Sequence, residues 1–409
     1  MTHIGSYHVD SFATSTDAEI RRLNAQVDLF WPVESEALIR FGLRDGINVL
    51  DCGCGPGRLL ELIQRRFPSS KCSGIEIDPL LVETGRQHLA ASGLPHCTIQ
   101  QGSAEQPGLP LANYDFIVMR LVLEHIPDPV AALRSVSSLL RPGGRLAVIS
   151  NDFDFHLRTS PSVPELEQLY MAYRASRRKD GGDPCIGRRV PHLLIDSGLK
   201  LVGAEIEIIH NALVGDGPFL KAEGAGIPAQ LVKSGFLDTN VLDAMTRSWR
   251  NMLNTPGHSI TRPLWIAVGE KTGTPSTTHE AHNLTASPES QRHEKVNLPN
   301  QLQPSVANET QLTNTGTLEH IQTLIAEALE VKSVSPDATL AALGIDSIAA
   351  MMLQERIKHF FGVEIPVMRF FEDTTVTALA NSLAGRTAAP AQLAPPLPRT
   401  PSKQEEGEI

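Results

Sequence analysis

Residues 49–63 read VLDCGCGPGRLLELI, and the fold turns on how this stretch is parsed. Val49, Leu50 and Asp51 end a short β-type run, Gly53, Gly55 and Gly57 follow at alternate positions, and a helical apolar period begins near Arg58. Glycine takes positive φ without steric cost and lets the backbone approach a ligand. A buried strand, a tight turn and a helix N-terminus are therefore expected, with main-chain amides presented at the turn. Such a cradle suits a nucleotide-type ligand, although strand-to-helix turns that bind nothing use the same residues. The following run, SGIEIDP at 73–79, places Glu76 about twenty residues past the loop, where a carboxylate commonly accepts from the two hydroxyls of a ribose. An ordinary charged strand end reads the same way. Loop and acid together favour an adenosine-bearing cofactor.

Outward from this centre, INVLD (47–51), CSGIEI (72–77), CTIQQG (97–102), YDFIVM (114–119) and RLAVIS (145–150) alternate with stretches of helical period. That alternation predicts a parallel sheet with helices on both faces. LKLVGAEIEIIH (199–210) and PLWIAVGEK (263–271) are longer strands enclosing a mainly helical insert over 217–255. A final antiparallel pair accounts for them. The expected fold is α/β, a Rossmann-like doubly wound, mostly parallel sheet with a terminal antiparallel strand.

The chain has 409 residues, more than one core of ordinary size holds, so a second domain is expected. Residues 271–316 are dominated by Thr, Ser, Asn, Gln and Pro and cannot bury enough apolar surface to offset their ordering entropy, which predicts a flexible linker. Residues 386–409 are Pro-rich and then acidic, a disordered tail by composition. No apolar run reaches the roughly 18 residues of a membrane span. The N-terminus MTHIGSYHVD lacks the basic and apolar regions of a secretion signal, so a cytoplasmic location away from membranes is expected. Five scattered cysteines suit a reducing compartment. Cys52 and Cys54 have no second ligand pair at metal spacing, so they are expected as small buried residues beside the turn, with no metal bound. A net charge of -10 argues against a nucleic-acid surface and points to basic protein partners.

Residues 317–385 carry their own pattern. Leu318, Ile321, Leu324, Ile325, Ala328 and Leu329 share one helical face; Ile348, Met352, Leu353, Ile357 and Phe360 share another, and a shorter set follows at 376–383. The unit is a small all-α, four-helix bundle with nine acidic side chains against four basic ones. Read locally, Asp346 and Ser347 in LGIDSIAAMML (343–353) start a helix as cap and first-turn residue.

The segments VLDCGCGPG, GIEIDP, GSAEQPGLPLANYDFIVMRLVLEHIPDP and LLRPGGRLAVIS together resemble the class I S-adenosylmethionine-dependent methyltransferase family, in order and spacing. The resemblance covers roughly residues 20–270 and outweighs a nicotinamide-dehydrogenase reading of the glycine loop. It implies S-adenosylmethionine as cofactor. Asp51, Gly53, Gly55 and Gly57 would lie near its methionine end, Glu76 at the ribose, Asp78 at the adenosine rim, and Arg120 beside the amino-acid moiety. Ser103 stands where the family has an aspartate for the adenine amino group; it accepts more weakly, while the backbone contact at Ala104 is unaffected. His125 in LEHIP and His156 in NDFDFHL are candidate general bases, with Asp152 and Asp154 as possible orienters of His156; bracing and solvated-loop roles are the plainer alternatives. AEIRRLNAQVDLFWP (18–32) resembles the helical lid of the family, with Phe30 and Trp31 available to cover the cofactor.

Residues 337–385, which include LGIDS and the GVEIP loop, resemble the acyl/peptidyl carrier family, specifically carrier domains of modular polyketide synthases. The resemblance implies that a separate phosphopantetheinyl transferase attaches 4'-phosphopantetheine to Ser347, and that the arm carries an acyl chain as a thioester. A Ser/His/Asp hydrolase would instead need a strained strand-to-helix elbow, and Ser347 follows a loop in a helical unit. The expected layout is a methyltransferase domain over 1–270, a linker over 271–316, a carrier over 317–385 and a tail over 386–409. A linker of 46 residues has a root-mean-square reach of about 35–40 Å, enough for the domains to meet. The expected function is methylation of a carrier-bound acyl intermediate in polyketide or polyketide-peptide biosynthesis, with synthase modules or acyltransferases as partners. The alternatives are a methyltransferase for a free or separately carried metabolite, and a non-catalytic docking scaffold.

Overall fold

The computed structural model describes residues 16–223, 226–273, 314–329, 331–340, 342–343, 345, 347–372 and 374–384. Most of the expected linker, all of the expected tail and Asp346 lie outside the described residues. The first helix, α1 (Thr16–Arg40), precedes the sheet; β1 (Asn48–Cys52), α2 (Arg58–Arg66), β2 (Lys71–Glu76), α3 (Pro79–Ala91), β3 (Thr98–Gln101), β4 (Tyr114–Arg120), α4 (Pro129–Ser138) and β5 (Leu140–Ser150) follow in βαβ order. The sheet runs β3-β2-β1-β4-β5, all parallel, as the sequence alternation predicts.

These strands are apolar throughout because both faces are covered. Along β1 and β4, Val49, Phe116 and Val118 enter one core cluster, while Leu50, Ile117 and Met119 enter the other. Each of these side chains is 0–1% exposed, worth about 1.5–3 kcal/mol apiece against leaving it in water. β5 begins five residues earlier than its apolar run, since Leu140 pairs with Tyr114 and the register slips across Pro142, Gly143 and Gly144 before Arg145 meets Phe116.

After β5 the chain forms β6 (Arg158–Ser160), α5 (Glu165–Lys179), α6 (Val190–Asp196) and β7 (Lys200–His210). The insert expected at 217–255 is α8 (Asp216–Glu223), α9 (Gly226–Lys233) and α10 (Thr239–Leu253), after a single turn, α7 (Asn211–Val214). β8 (Ser259–Glu270) then returns antiparallel to β5, β6 and β7. The antiparallel strand is thus last in the chain order of this sheet, but it sits between β5 and β7, one place in from the edge. Phe219 and Ala222 of α8 are fully buried in the same cluster as Val27, Leu29 and Phe30 of α1, so the insert and the first helix roof one end of the sheet together.

The C-terminal unit contains α11 (Asn314–Ala328), α12 (Ser347–Phe361), a 3-10 turn over Val367–Phe371 and α13 (Val376–Leu383) around a separate core that includes Ile321, Leu353, Ile357 and Phe370. Ser347 is the first residue of α12. Among the described residues no helix is long and apolar enough to cross a membrane.

Candidate active site

The carboxyl ends of β1, β2 and β4 surround a first cleft, the usual position for ligands on an open α/β sheet. Gly53, Gly55 and Gly57 have φ of +79°, +51° and +81°, values that side chains disfavour. A Cβ on Gly53 would overlap Val122 Cγ2, so the loop closes over its neighbour only because that side chain is missing. Gly57 caps α2 without a side-chain hydrogen bond. Glu76, at the end of β2, accepts from Gly55 N at 2.9 Å and Asp78 N at 3.0 Å. A carboxylate has about four acceptor positions, so these two amides do not exhaust its capacity. Burial raises the Glu76 pKa, against the lowering by the amides of Asp78 and Gly55.

Asp51 lines the same cleft, is 1% exposed, and has neither oxygen hydrogen-bonded among the described residues. Burial pushes its carboxyl up to about 7, with nearby Arg120 lowering it. A buried carboxyl without partners calls for one, and a ligand bearing a cationic group meets that need. Arg120 donates from Nε to Glu34 of α1 at 2.9 and 3.0 Å and from Nη2 to Gln26 O at 2.9 Å. This buried pair ties the first helix to the end of β4. Leu121, next in line, holds φ +56°, a strained left-handed conformation placed where both clefts meet.

A second cleft opens beside the first and shares the walls Leu23, Gln26, Leu121 and His125. Its lining is largely apolar and aromatic, with Phe153, Tyr170 and Tyr173 on one side and Leu242, Met245 and Trp249 of α10 on another. Set into it is a buried polar group. His156 Nε2 lies 2.9 Å from Glu223 Oε2, and Arg262 Nε lies 2.9 Å from Glu223 Oε1. The second contact is an ion pair by distance but is off the axis of a hydrogen bond, so among the described residues Arg262 Nε and Nη1 and Glu223 Oε1 remain without hydrogen-bond partners. Arg262 Nη2 donates to Asn151 Oδ1 at 3.1 Å, and its guanidinium lies over Phe30 at 5.0 Å. His156 stacks on Phe153 with centroids 4.0 Å apart.

The electrostatics fix the protons here. Burial alone would raise Glu223, but Arg262 and His156 hold it down at about 2, so it is a carboxylate that only accepts. Burial lowers His156 below its ordinary 6.5, against the raising effect of Glu223, so the ring is neutral near pH 7. Nε2 must therefore carry the hydrogen donated to Glu223. Nδ1 is then a lone pair, buried and unpartnered among the described residues, on a side chain that lines the second cleft.

Of the residues expected at the cofactor, Asp51, Gly53, Gly55, Glu76, Ser103, Ala104 and Arg120 line the first cleft, and Gly57 closes the loop beneath them. Asp78 is not among the lining residues; it caps α3, accepting from Leu80 N at 2.8 Å and Leu81 N at 3.2 Å. Ser103 spends its hydroxyl accepting from Gln106 N at 3.0 Å. His125 lines both clefts, with Nε2 3.9 Å from Glu124 Oε1. α1, the helix expected as a lid, contributes Leu23, Asn24, Gln26 and Val27 to the cleft, whereas Phe30 and Trp31 pack into the core one to two turns further on. Asp152 and Asp154 pair with Arg188 instead of orienting His156. The orienting residue is Glu223, from a distant helix.

Neither Glu223 nor Arg262 stands out in the sequence. For Arg262 a signal existed: along β8 it falls in the inward register with Ile260, Leu264 and Ile266, and a charged residue at such a position needs a buried partner. Glu223 carries no comparable local mark.

Residues 43–184 match the family model of a methyltransferase domain, and residues 319–383 match that of a phosphopantetheine attachment site. The chain is 38% identical over 105 residues to a ubiquinone biosynthesis O-methyltransferase of Xanthomonas euvesicatoria, covering 25% of this chain and 41% of that protein. It is 26% identical over 144 residues to a demethylmenaquinone methyltransferase of Listeria monocytogenes, covering 35% of this chain and 57% of that one. The chain therefore spans about half the length of these curated relatives. Among solved structures, a SAM-dependent methyltransferase from Aquifex aeolicus superposes with a TM-score of 0.36 at 21% identity, over 46% of this chain and 90% of that one.

Proposed function

From a chain that carries a methyltransferase domain and a phosphopantetheine attachment domain, we propose an enzyme that methylates an acyl chain held on its own carrier, in polyketide or polyketide-peptide biosynthesis. The observation that carries this reading is the pair of adjoining clefts, one with a glycine cradle and two buried carboxyls, the other apolar with a histidine lone pair. S-adenosylmethionine, when bound, supplies a methyl group made electrophilic by the sulfonium. In this reading Gly53, Gly55 and Gly57 give the backbone room for it, Glu76 accepts from the ribose hydroxyls with its remaining lone pairs, and Asp51 faces the cationic methionine end. Ser103 and Ala104 meet the adenine, and Arg120 acts by fixing the lid. Asp78 has a supporting role through α3.

The acceptor occupies the second cleft. His156 takes its proton at Nδ1, and Glu223 holds the ring in the tautomer that leaves Nδ1 bare. His125, at the junction, orients the groups that meet there. Ser347 carries the phosphopantetheine that a phosphopantetheinyl transferase supplies, and the start of α12 favours the added phosphate. The contact between the two units supports delivery in cis. α10 lines the second cleft through Leu242, Met245 and Trp249, while its Arg250 donates to Gln354 of α12, and Met368 packs against the first core cluster.

The test is reconstitution. Holo-protein loaded with candidate acyl chains and given S-adenosylmethionine is expected to gain the mass of one methylene on the pantetheine arm in intact-protein mass spectrometry. Transfer only to untethered molecules rejects the tethered reading. The relatives named for ubiquinone and demethylmenaquinone favour that second reading, a free acceptor.

Cofactor binding gives an independent prediction. Gly53→Ala places a methyl group against Val122 at φ +79°. It is expected to cost about 1–3 kcal/mol of stability. The stabilisation of the protein by S-adenosylhomocysteine in thermal denaturation is expected to shrink with it.

A further inference from the structure

We infer that the second cleft holds an oxyanion site, in which Arg262 and Trp249 hold an acceptor oxygen that gains negative charge when His156 removes its proton. The inference rests on the reading that this cleft takes the methyl acceptor, and it names the acceptor class: an acyl group with an acidic hydroxyl or an enolisable carbonyl.

Arg262 is 0% exposed, yet among the described residues Nη1 has no hydrogen-bond partner and Nε has only the off-axis ion pair with Glu223. Trp249 is 9% exposed and its Nε1 is likewise unpartnered among the described residues. Both line the cleft that holds the bare Nδ1 of His156. Buried donors without an acceptor are unfavourable, a charged one most of all, and an oxygen of the occupant is what would satisfy them.

The charges decide which oxygen. Arg262 is balanced by Glu223 at 2.9 Å, and Arg22, which also lines the cleft, is paired with Glu19 at 2.6 Å. Glu124 adds a further acidic group on the same wall. No net positive charge is left for a permanent carboxylate, so a neutral oxygen enters. When the acceptor's O–H or C–H bond breaks, the proton goes to Nδ1 and the electron pair stays on the acceptor, delocalised onto the oxygen facing Arg262 and Trp249. Charge is then created next to fixed donors in a dry site, where such donors act most strongly.

The experiment uses full-length protein saturated with S-adenosylhomocysteine and two free probes, 4-nitrophenol and acetylacetone, whose ionised forms are read by ultraviolet-visible absorbance against pH. One of them is expected to ionise in the bound state with an apparent pKa lowered by about one unit, a tenfold shift; the arm that responds tells phenol from dicarbonyl. Benzoate, a permanent anion, is expected to bind at least about tenfold more weakly than the responsive probe. Arg262→Lys tests the guanidinium but leaves Glu223 imperfectly paired, so Trp249→Phe, which keeps the ring and deletes the donor, is the decisive variant. It is expected to bind the probe and lose most of the shift. Unchanged ionisation of both probes in the parent protein, or a shift untouched by Trp249→Phe, overturns the inference. If acyl cargo on Ser347 is methylated while neither probe shifts, the oxyanion site fails and the proposed function stands. A full shift lost in Trp249→Phe, without methyl transfer to tethered cargo, supports the oxyanion site and rejects delivery by the carrier.

Discussion

Replacing Ser347 by alanine is expected to abolish loading of the protein by a phosphopantetheinyl transferase, and with it all methylation of tethered cargo. The proposed arm is joined through the hydroxyl oxygen, and alanine offers no atom in its place. Alanine is also the best helix former, and α12 packs through Ala349, Ala350, Leu353 and Ile357, none of which is touched. The bundle should therefore fold, and circular dichroism should match the parent. Intact mass reads the first effect: the pantetheine increment disappears. The second effect separates the two modes of delivery. An acyl-pantetheine given free should still be methylated by Ser347→Ala, with kcat retained and KM raised, because a flexible tether of this kind supplies an effective concentration on the order of millimolar that free substrate must replace. Full activity of Ser347→Ala on the natural acceptor would show that the carrier is not the delivery arm.

The sheet and the first cleft are legible in the sequence because their signals are local. A glycine loop must follow a strand and open a helix within a few residues, and Glu76 lies one βα unit further on, so order and spacing along the chain mirror order in space. Even there, one assignment is blurred by competition. Asp78 reads as a ligand contact but serves as the cap of α3, since an aspartate ahead of Pro79 satisfies the amides of Leu80 and Leu81 first. In the lid, the resemblance places Phe30 and Trp31 over the cofactor, but a 25-residue helix turns successive residues through different faces, and the polar turn at Asn24 and Gln26 reaches the cleft while Phe30 is buried under Arg262.

The second cleft is legible only in His125, at its junction with the first, and in the buried His156. Its partner, Glu223, lies 67 residues away in an insert whose own pattern reads simply as helix, and nothing in single-residue chemistry couples the two. Arg262 sits just before the run PLWIAVGEK that marks β8, where a charged residue looks like a strand boundary. Tertiary packing extends the strand four residues earlier, to Ser259, and carries the guanidinium inward. A cleft walled by an insertion and by the sheet shows its chemistry only when distant segments are brought together.

Replacing His156 by glutamine is expected to lower kcat for methyl transfer by about 10²–10⁴, with cofactor affinity unchanged, since His156 does not line the first cleft. Glutamine keeps the polar volume but cannot take a proton. Glu223→Gln should fall into the same range for a different reason. An amide can donate to Nε2 and so flip the histidine into the tautomer with hydrogen on Nδ1, which blocks the base while leaving it in place. The pH profile distinguishes a base from a brace. Burial lowers the pKa of His156, with the charges of Arg262 and Arg158 adding to that effect and Glu223 opposing it. The neutral base is therefore populated at pH 7, and the parent rate should fall only on the acid side of the ordinary value of 6.5. That acid limb should be absent from the residual rate of His156→Gln. Stability carries the same sign. The unfolded chain takes a proton near 6.5 while the folded one resists it, so the stability contribution of the neutral buried ring is complete above that pH and is lost as pH falls toward the lower folded value. His156→Gln should flatten this part of the stability curve, measured by denaturant titration between about pH 5 and 8. A variant that loses stability but keeps both its rate and the acid limb would assign His156 a structural role and send the search for the base to His125.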